Sequence, residues 1–224
     1  MAQSFDICIR GAGVVGRTLA LLLARERLSV ALVANPAGPA TGSDVRAYAL
    51  NAASRSLLEG LRTWPDAEHA TPVTRMEVAG DQDGRVEFDA GAQSTDALAW
   101  IVDVPALEAR LQDAVRFQPL VEVVTEPVTA PLTVVCEGRA SRTRAELGVE
   151  FETTRYPQHA IATRLDCERA HEQVAHQWFT PEGDILALLP LDGPRGHQVA
   201  MVWSVREERA AELMALDDAA FAAR

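Results

Sequence analysis

Gly11, Gly13 and Gly16 stand at the spacing G-x-G-x-x-G, in the segment Gly11-Ala12-Gly13-Val14-Val15-Gly16. Each glycine has a physical use in that pattern. The first turns the chain sharply, the second lets backbone approach a pyrophosphate, and the third lets a helix pack closely on a strand. The phosphate then rests on the positive end of the helix. The surrounding sequence supplies the required context: FDICIR (Phe5 to Arg10) reads as a strand entering the turn, and RTLALLLAR (Arg17 to Arg25) as a buried helix leaving it. Gly11, Gly13, Val14, Val15 and Gly16 are therefore candidate dinucleotide-binding positions, the alternative being a tight structural turn. No Asp or Glu lies between Glu26 and Asp44, where an acid would accept from ribose hydroxyls. Ala34 and Asn35 occupy that neighbourhood, and Asn35 either offers an amide to a ribose or serves as the turn residue before Pro36.

Other chemistries are excluded by what is missing. All 21 basic residues are Arg, so Schiff-base lysines, a Walker lysine and a kinase-type lysine are ruled out. Among the five histidines, His171 and His176 are five apart, a spacing that suits neither a helix face nor a strand face, and no metal site is expected. No Gly-x-Ser-x-Gly elbow supports nucleophilic catalysis. Cys8, Cys136 and Cys167 are odd in number and far apart, which points to a reducing, cytoplasmic compartment. The net charge of -11 repels phosphate backbones and anionic surfaces, so nucleic acid is not an expected partner. The apolar run Leu19 to Ala24 is too short to span a bilayer, and Asp6 stands where a secretory signal would be basic.

The elements that must hold the glycine turn follow from the hydrophobic period. A second strand over Ser29 to Ala34 completes a strand-turn-helix-strand unit, the opening of a parallel, doubly wound sheet. A helical period runs from Asp44 to Leu61 through Leu50, Leu57, Leu58 and Leu61, closed by Trp64-Pro65. From Pro72 the period becomes two, with PVTRMEV and RVEFDA flanking a Gly80 to Gly84 turn. Leu98 to Val102 is a further strand and Pro105 to Val115 a helix; Val121 to Val124 and Leu132 to Cys136 return to the first sheet. His159 to Leu165, Val174 to Phe179, Ile185 to Leu191 and Gln198 to Val205 rejoin the second, with Pro181 to Asp184 a turn. The expected fold is mixed α/β, a Rossmann-like region with a parallel sheet interleaved with an antiparallel sheet. Residues 1-70 and 105-150 would form the former and 71-104 and 151-205 the latter, with 206-224 a terminal helix on a chain that looks cut short. Trp100, Trp178 and Trp203 fall on strands of the second sheet, as core or as walls of an aromatic pocket.

The ordered set of segments resembles the N-terminal part of the class A FAD-dependent aromatic hydroxylases, most closely the ubiquinone-biosynthesis hydroxylase branch acting on polyprenylated phenols. The likeness is carried by the Gly11 to Gly16 fingerprint, Asp44 to Asn51 with Ser54, Trp64-Pro65, Trp100 to Asp103 and Glu137 to Arg144. Tyr156 to Ala160, Gln177-Trp178-Phe179 and Leu188 to Leu191 extend it. The resemblance implies FAD as cofactor, NADPH or NADH as reductant and a small phenolic substrate. It implies that Arg46 contacts the cofactor near its phosphates, as a bidentate guanidinium can. It also makes Glu137 and Gly138 the counterpart of the family's Asp-Gly motif near the pyrophosphate; the alternative is a capping turn, with Ser141 capping a short helix through Leu147.

Family members run longer and carry a later Gly-Asp motif that holds the ribityl chain. The Gly-Asp pairs present here, Gly80-Asp81 and Gly183-Asp184, sit in apparent hairpin turns and match neither its place nor its context. The sequence thus points to an FAD-dependent monooxygenase, with catalytic side chains unassigned; the alternative is a truncated, non-catalytic nucleotide-binding or interaction module. Peripheral contact with a membrane or a biosynthetic complex, and homo-oligomerisation, stay open as partners.

Overall fold

The computed structural model describes residues 4–34 and 44–224. In chain order the strands are β1 (Ile7–Arg10), β2 (Val30–Val33), β3 (Ala47–Leu50), β4 (Ala70–Val73), β5 (Arg75–Ala79), β6 (Arg85–Asp89), β7 (Ala99–Asp103), β8 (Val121–Val124), β9 (Leu132–Val135), β10 (Gln158–Asp166), β11 (Val174–Phe179), β12 (Ile185–Pro190) and β13 (Gln198–Arg206). The helices are α1 (Val14–Arg25), α2 (Ala52–Gly60), α3 (Val104–Arg116), α4 (Arg142–Glu146), α5 (Glu207–Met214) and α6 (Asp218–Ala222). They fall into two compact units, Met1–Asp44 with Ala53–Pro65 and Pro105–Glu152, and Val45–Ala52 with Asp66–Val104 and Thr153–Arg224.

The first unit is built on a four-stranded parallel sheet in the order β8-β2-β1-β9. β2 is an unbroken apolar run and β1 is apolar up to Arg10, and Ile9, Val30, Ala31 and Leu32 are fully buried, as expected for parallel strands covered on both faces. α1 turns Gly16, Ala20, Leu21 and Ala24 inward. α3 buries Leu107, Leu111 and Val115, spaced by four, and each such side chain contributes about 1.5–3 kcal/mol. Arg17 on α1 donates to the Glu108 carbonyl at 3.3 Å and ties the two helices together.

The second unit holds a six-stranded sheet, β10-β13-β12-β11-β5-β6, and a three-stranded antiparallel sheet, β3-β7-β4. One face of the large sheet packs through Met76, Ala175, Leu189 and Ala200 on Val73 and Ile101 of the small one. The opposite face is covered by α5 and α6, which bury Ile161, Met201, Trp203 and Val205 against Leu213 and Phe221. Asp184, at the β11–β12 turn, is buried and receives the Arg209 guanidinium from α5.

Three sequence expectations need correction. The helical period from Asp44 gives way to strand over Ala47–Leu50, and the helix begins only at Ala52. Pairing of Ala47–Leu50 with Asp103–Trp100 supplies ladder bonds that a marginal helix end cannot match. The large sheet is not wholly antiparallel, because β5 runs parallel to β11. The stretch from 206 is two helices, since Asp217 accepts from the Ala220 amide and caps a second one. Among the described residues no helix is long and apolar enough to cross a membrane.

Candidate functional site

The corner where β1, β9 and α1 meet is closed by two glycines and left open at a third. Arg10 pairs with Val135, and the Cys136 amide donates to the Arg10 carbonyl at 2.7 Å, which draws the end of β9 against the turn. Gly11 has φ +112°, and a Cβ there would lie 2.5 Å from the Cys136 carbonyl oxygen. A Cβ on Gly16 would lie 1.9 Å from the Gly11 oxygen. Both positions therefore demand glycine for closure alone. Gly13 differs: its φ of -77° suits any residue, and a Cβ there would meet no heavy atom of the described residues within 4 Å. The space in front of it is what a diphosphate requires.

α1 begins without a side-chain cap, and its first intrahelical bond is Arg17 N–H to the Gly13 carbonyl at 3.0 Å. The amides of Val14, Val15 and Gly16 consequently lack an acceptor among the described residues. Three donors and the positive end of a twelve-residue helix converge on the open space, an arrangement suited to an anion.

Glu137 follows β9 into the same corner, but its carboxylate is committed elsewhere. It accepts from the Ser141 hydroxyl at 2.6 Å and the Thr143 amide at 2.9 Å through one oxygen, and from the Thr143 hydroxyl at 2.8 Å through the other. Arg10 stands 3.6 Å away and also reaches Glu146 at 3.0 Å. The Ser141 hydrogen bond foremost, with those from Thr143 and the Arg10 charge, lowers the Glu137 pKa from 4.5 to about 2 against the opposing effect of burial. Ser141 in turn accepts from the Arg144 amide at 3.2 Å and caps α4. Glu137 is thus a brace for α4, and the neighbouring Gly138, at φ +70°, has no described residue within 4 Å of where a Cβ would stand.

The structure brings Gly11, Gly13, Val14, Val15, Gly16, Glu137 and Gly138 into one unit. Arg46 belongs to the second unit, where its carbonyl accepts from the Val104 amide at 3.2 Å and from Arg164 at 3.3 Å. Arg164 also pairs with Asp103 at 2.8 Å, fixing the chain just before β3. Asn35 lies outside the described residues. A cavity of about 340 Å³ beside the glycine turn, lined by Ala12, Arg17, Leu32, Ala34, Asp113 and Arg116, has no counterpart in the sequence expectations. Asp113 and Arg116 reach it from α3, about a hundred residues downstream, and no local motif marks them. Trp100 and Trp203 are core residues, whereas Trp178 is half-buried and stacks on His176 at 5.3 Å. No group of three or more His, Cys, Asp or Glu placed to hold a metal occurs among the described residues.

A family model described as an FAD binding domain matches residues 107–224, more than half of the chain. The chain belongs to that family. It is similar to the 3-demethoxyubiquinol 3-hydroxylase of Escherichia coli K12, with 30% identity over 216 residues covering 84% of this chain and 55% of that protein. The ubiquinone hydroxylase UbiL of Rhodospirillum rubrum is 26% identical over 236 residues, covering 94% and 54%. The chain spans about half the length of the curated relatives it matches. Among solved structures, PqsL of Pseudomonas aeruginosa superposes with a TM-score of 0.78 at 21% identity, covering 95% of this chain and 64% of that one. The p-nitrophenol 4-monooxygenase PnpA of Pseudomonas putida DLL-E4 gives 0.71 at 15%, covering 96% and 62%. These structural likenesses establish the mixed α/β fold. The open Gly13 corner with its three unpaired amides fits the diphosphate of FAD, the cofactor of the family.

Proposed function

We propose that this chain forms the adenosine-diphosphate half of the FAD site and much of the substrate sheet of an aromatic hydroxylase of the ubiquinone-biosynthesis type. The observation that carries the proposal is the open Gly13 position before three unpaired amides. Bound FAD, reduced by NADPH or NADH, supplies the oxygen chemistry that hydroxylates an electron-rich ring. The chain's own residues bind and orient. The amides of Val14, Val15 and Gly16 hold the diphosphate, Gly13 and Gly138 allow its close approach, and Glu137 holds α4 rigid.

The substrate proposed is a phenol, with or without a polyprenyl tail. Its support is one face of the large sheet, where Ala162, Val202, Ala187, Gln177, Val78 and Val86 form a cross-strand row with Gln177 its one polar member. Val202 is 37% exposed and Val86 54%, so the row is open to a ring that needs apolar contact and one hydrogen bond. We place the protein in the reducing cytoplasm, consistent with the free thiols of Cys8, Cys136 and Cys167.

Calorimetric titration of the purified chain with ADP and with FAD tests the nucleotide part, and titration with a phenol read by tryptophan fluorescence tests the substrate part. ADP and FAD binding is expected. Failure of both to bind overturns the FAD assignment; nucleotide binding without phenol binding leaves a nucleotide-binding module and overturns the hydroxylase.

A further inference from the structure

Among the described residues β6 is the outer strand of the six-stranded sheet, paired on one side only, and all five of its residues are exposed. Its pairing with β5 is continuous from Arg75↔Asp89 to Ala79↔Arg85, without a bulge, and it contains no proline. The hydrogen-bond phase of the free side can be fixed. Gly80 N–H donates to the Gly84 carbonyl at 2.7 Å and Ala90 N–H to the Thr74 carbonyl at 2.9 Å, so Gly80–Gly84 and Thr74–Ala90 are hydrogen-bonded pairs. Alternation along an antiparallel ladder then turns the peptide groups of Val86 and Phe88 toward β5 and those of Arg85, Glu87 and Asp89 outward. An edge of this kind offers unpaired donors and acceptors to another strand unless something blocks it.

The side chains select the partner. When β6 is laid antiparallel on a second copy about a two-fold axis through Val86, Arg85 faces Glu87 of the other copy, and the same pair recurs on the far side of the axis. Val86 meets its own equivalent, and both Arg85 and Glu87 present outward peptide groups, so the two pairs are hydrogen-bonded ones. Opposite charges stand across the strands beside the axis and an apolar pair lies on it, the pattern that stabilises cross-strand neighbours, whereas Asp89 meets Asp83 of the other copy at either end and opposes the association. A two-fold contact of this sort closes on itself and does not propagate. Within one copy the Glu87 carboxylate makes a long contact to Arg75, at 3.9 Å, so it can turn to a closer partner. We propose that the chain self-associates through β6, joining two six-stranded sheets into one continuous sheet across a two-fold axis. The association is weak, because one five-residue strand contributes far less than the area of a stable interface. It is independent of the nucleotide assignment.

The test is a charge exchange at two exposed positions. Sedimentation velocity and native mass spectrometry are run on the wild-type chain, on Arg85→Glu, on Glu87→Arg and on an equimolar mixture of the two variants, with thermal unfolding as the check on folding. Wild type should show a concentration-dependent monomer–dimer equilibrium. Each variant alone, now facing like charges twice, should dimerise at least tenfold more weakly. The mixture should regain association as a heterodimer, because the two carboxylates on β6 of the Arg85→Glu variant then face the two guanidinium groups on β6 of the Glu87→Arg variant. A monomer throughout, association of either variant equal to wild type, or a mixture that fails to recover would overturn the proposal.

Discussion

Replacing Gly13 by Val separates binding from folding at the proposed diphosphate corner. The backbone there is ordinary, at φ -77° and ψ -172°, and a Cβ meets no described residue within 4 Å, so the fold should tolerate the change. The expected cost is about 0.5–1 kcal/mol, from placing a poor residue at the N-terminal cap of α1. That corresponds to a fall in Tm of a few degrees for a chain of this size. The ligand fares differently, because the isopropyl group occupies the space through which a diphosphate reaches the Val14, Val15 and Gly16 amides. A hydrogen bond to a charged group contributes about 1.5–3 kcal/mol. Losing one of them, about 1.5–3 kcal/mol, weakens binding roughly 10- to 150-fold. Calorimetry with ADP reads the affinity and a thermal melt reads the fold. The control is Gly16→Val, whose Cβ would sit 1.9 Å from the Gly11 oxygen and should abolish folding itself. Gly13→Val binding ADP within threefold of wild type, or melting as early as Gly16→Val, would refute the assignment.

Glu137→Gln should destabilise the chain at neutral pH. A shift from 4.5 to about 2 corresponds to roughly 3 kcal/mol at most, and solvent screening at a side chain still 16% exposed reduces it to about 1–2 kcal/mol. Because the folded pKa is the lower one, that contribution is complete above pH 4.5 and disappears as the pH falls toward 2. Urea unfolding should therefore show the variant's deficit shrinking across that window, and a deficit constant with pH would contradict the cause assigned. Asp184→Ala should cost about 1–3 kcal/mol by removing the buried acceptor of Arg209, read by the same unfolding assay; a change below about 0.5 kcal/mol, the level of an ordinary surface substitution, would mean that α5 is held by its apolar contacts alone.

Much of the first unit is legible in the sequence because its signals are local. The strand, glycine turn and helix from Ile7 to Arg25 carry unbroken apolar runs and a fixed spacing, and the structure gives Gly11 and Gly16 closing roles that only glycine can fill. The Ser141 cap is legible for the same reason, since a hydroxyl three residues before a free amide is a matter of chain-local geometry. The stretch Asp44 to Leu50 was not, because Leu50, Leu57, Leu58 and Leu61 fit a helical period while the strand depends on a partner, β7, some fifty residues away. Asp113 and Arg116 at the cavity beside the turn were hidden likewise, being ordinary polar positions on an amphipathic helix until α3 is packed.

The two readings of Glu137 show where the line falls. Its place in the sequence determined that a carboxylate would follow β9 beside the glycine turn. Whether that carboxylate would face a nucleotide or the chain was decided by the arrival of Ser141, Thr143 and Arg10 around it, drawn from a later helix and an earlier strand. Spacing fixes what neighbours along the chain can do, because covalent geometry limits their reach. Which of two available partners a charged group takes depends on distances set only when the sheet has formed.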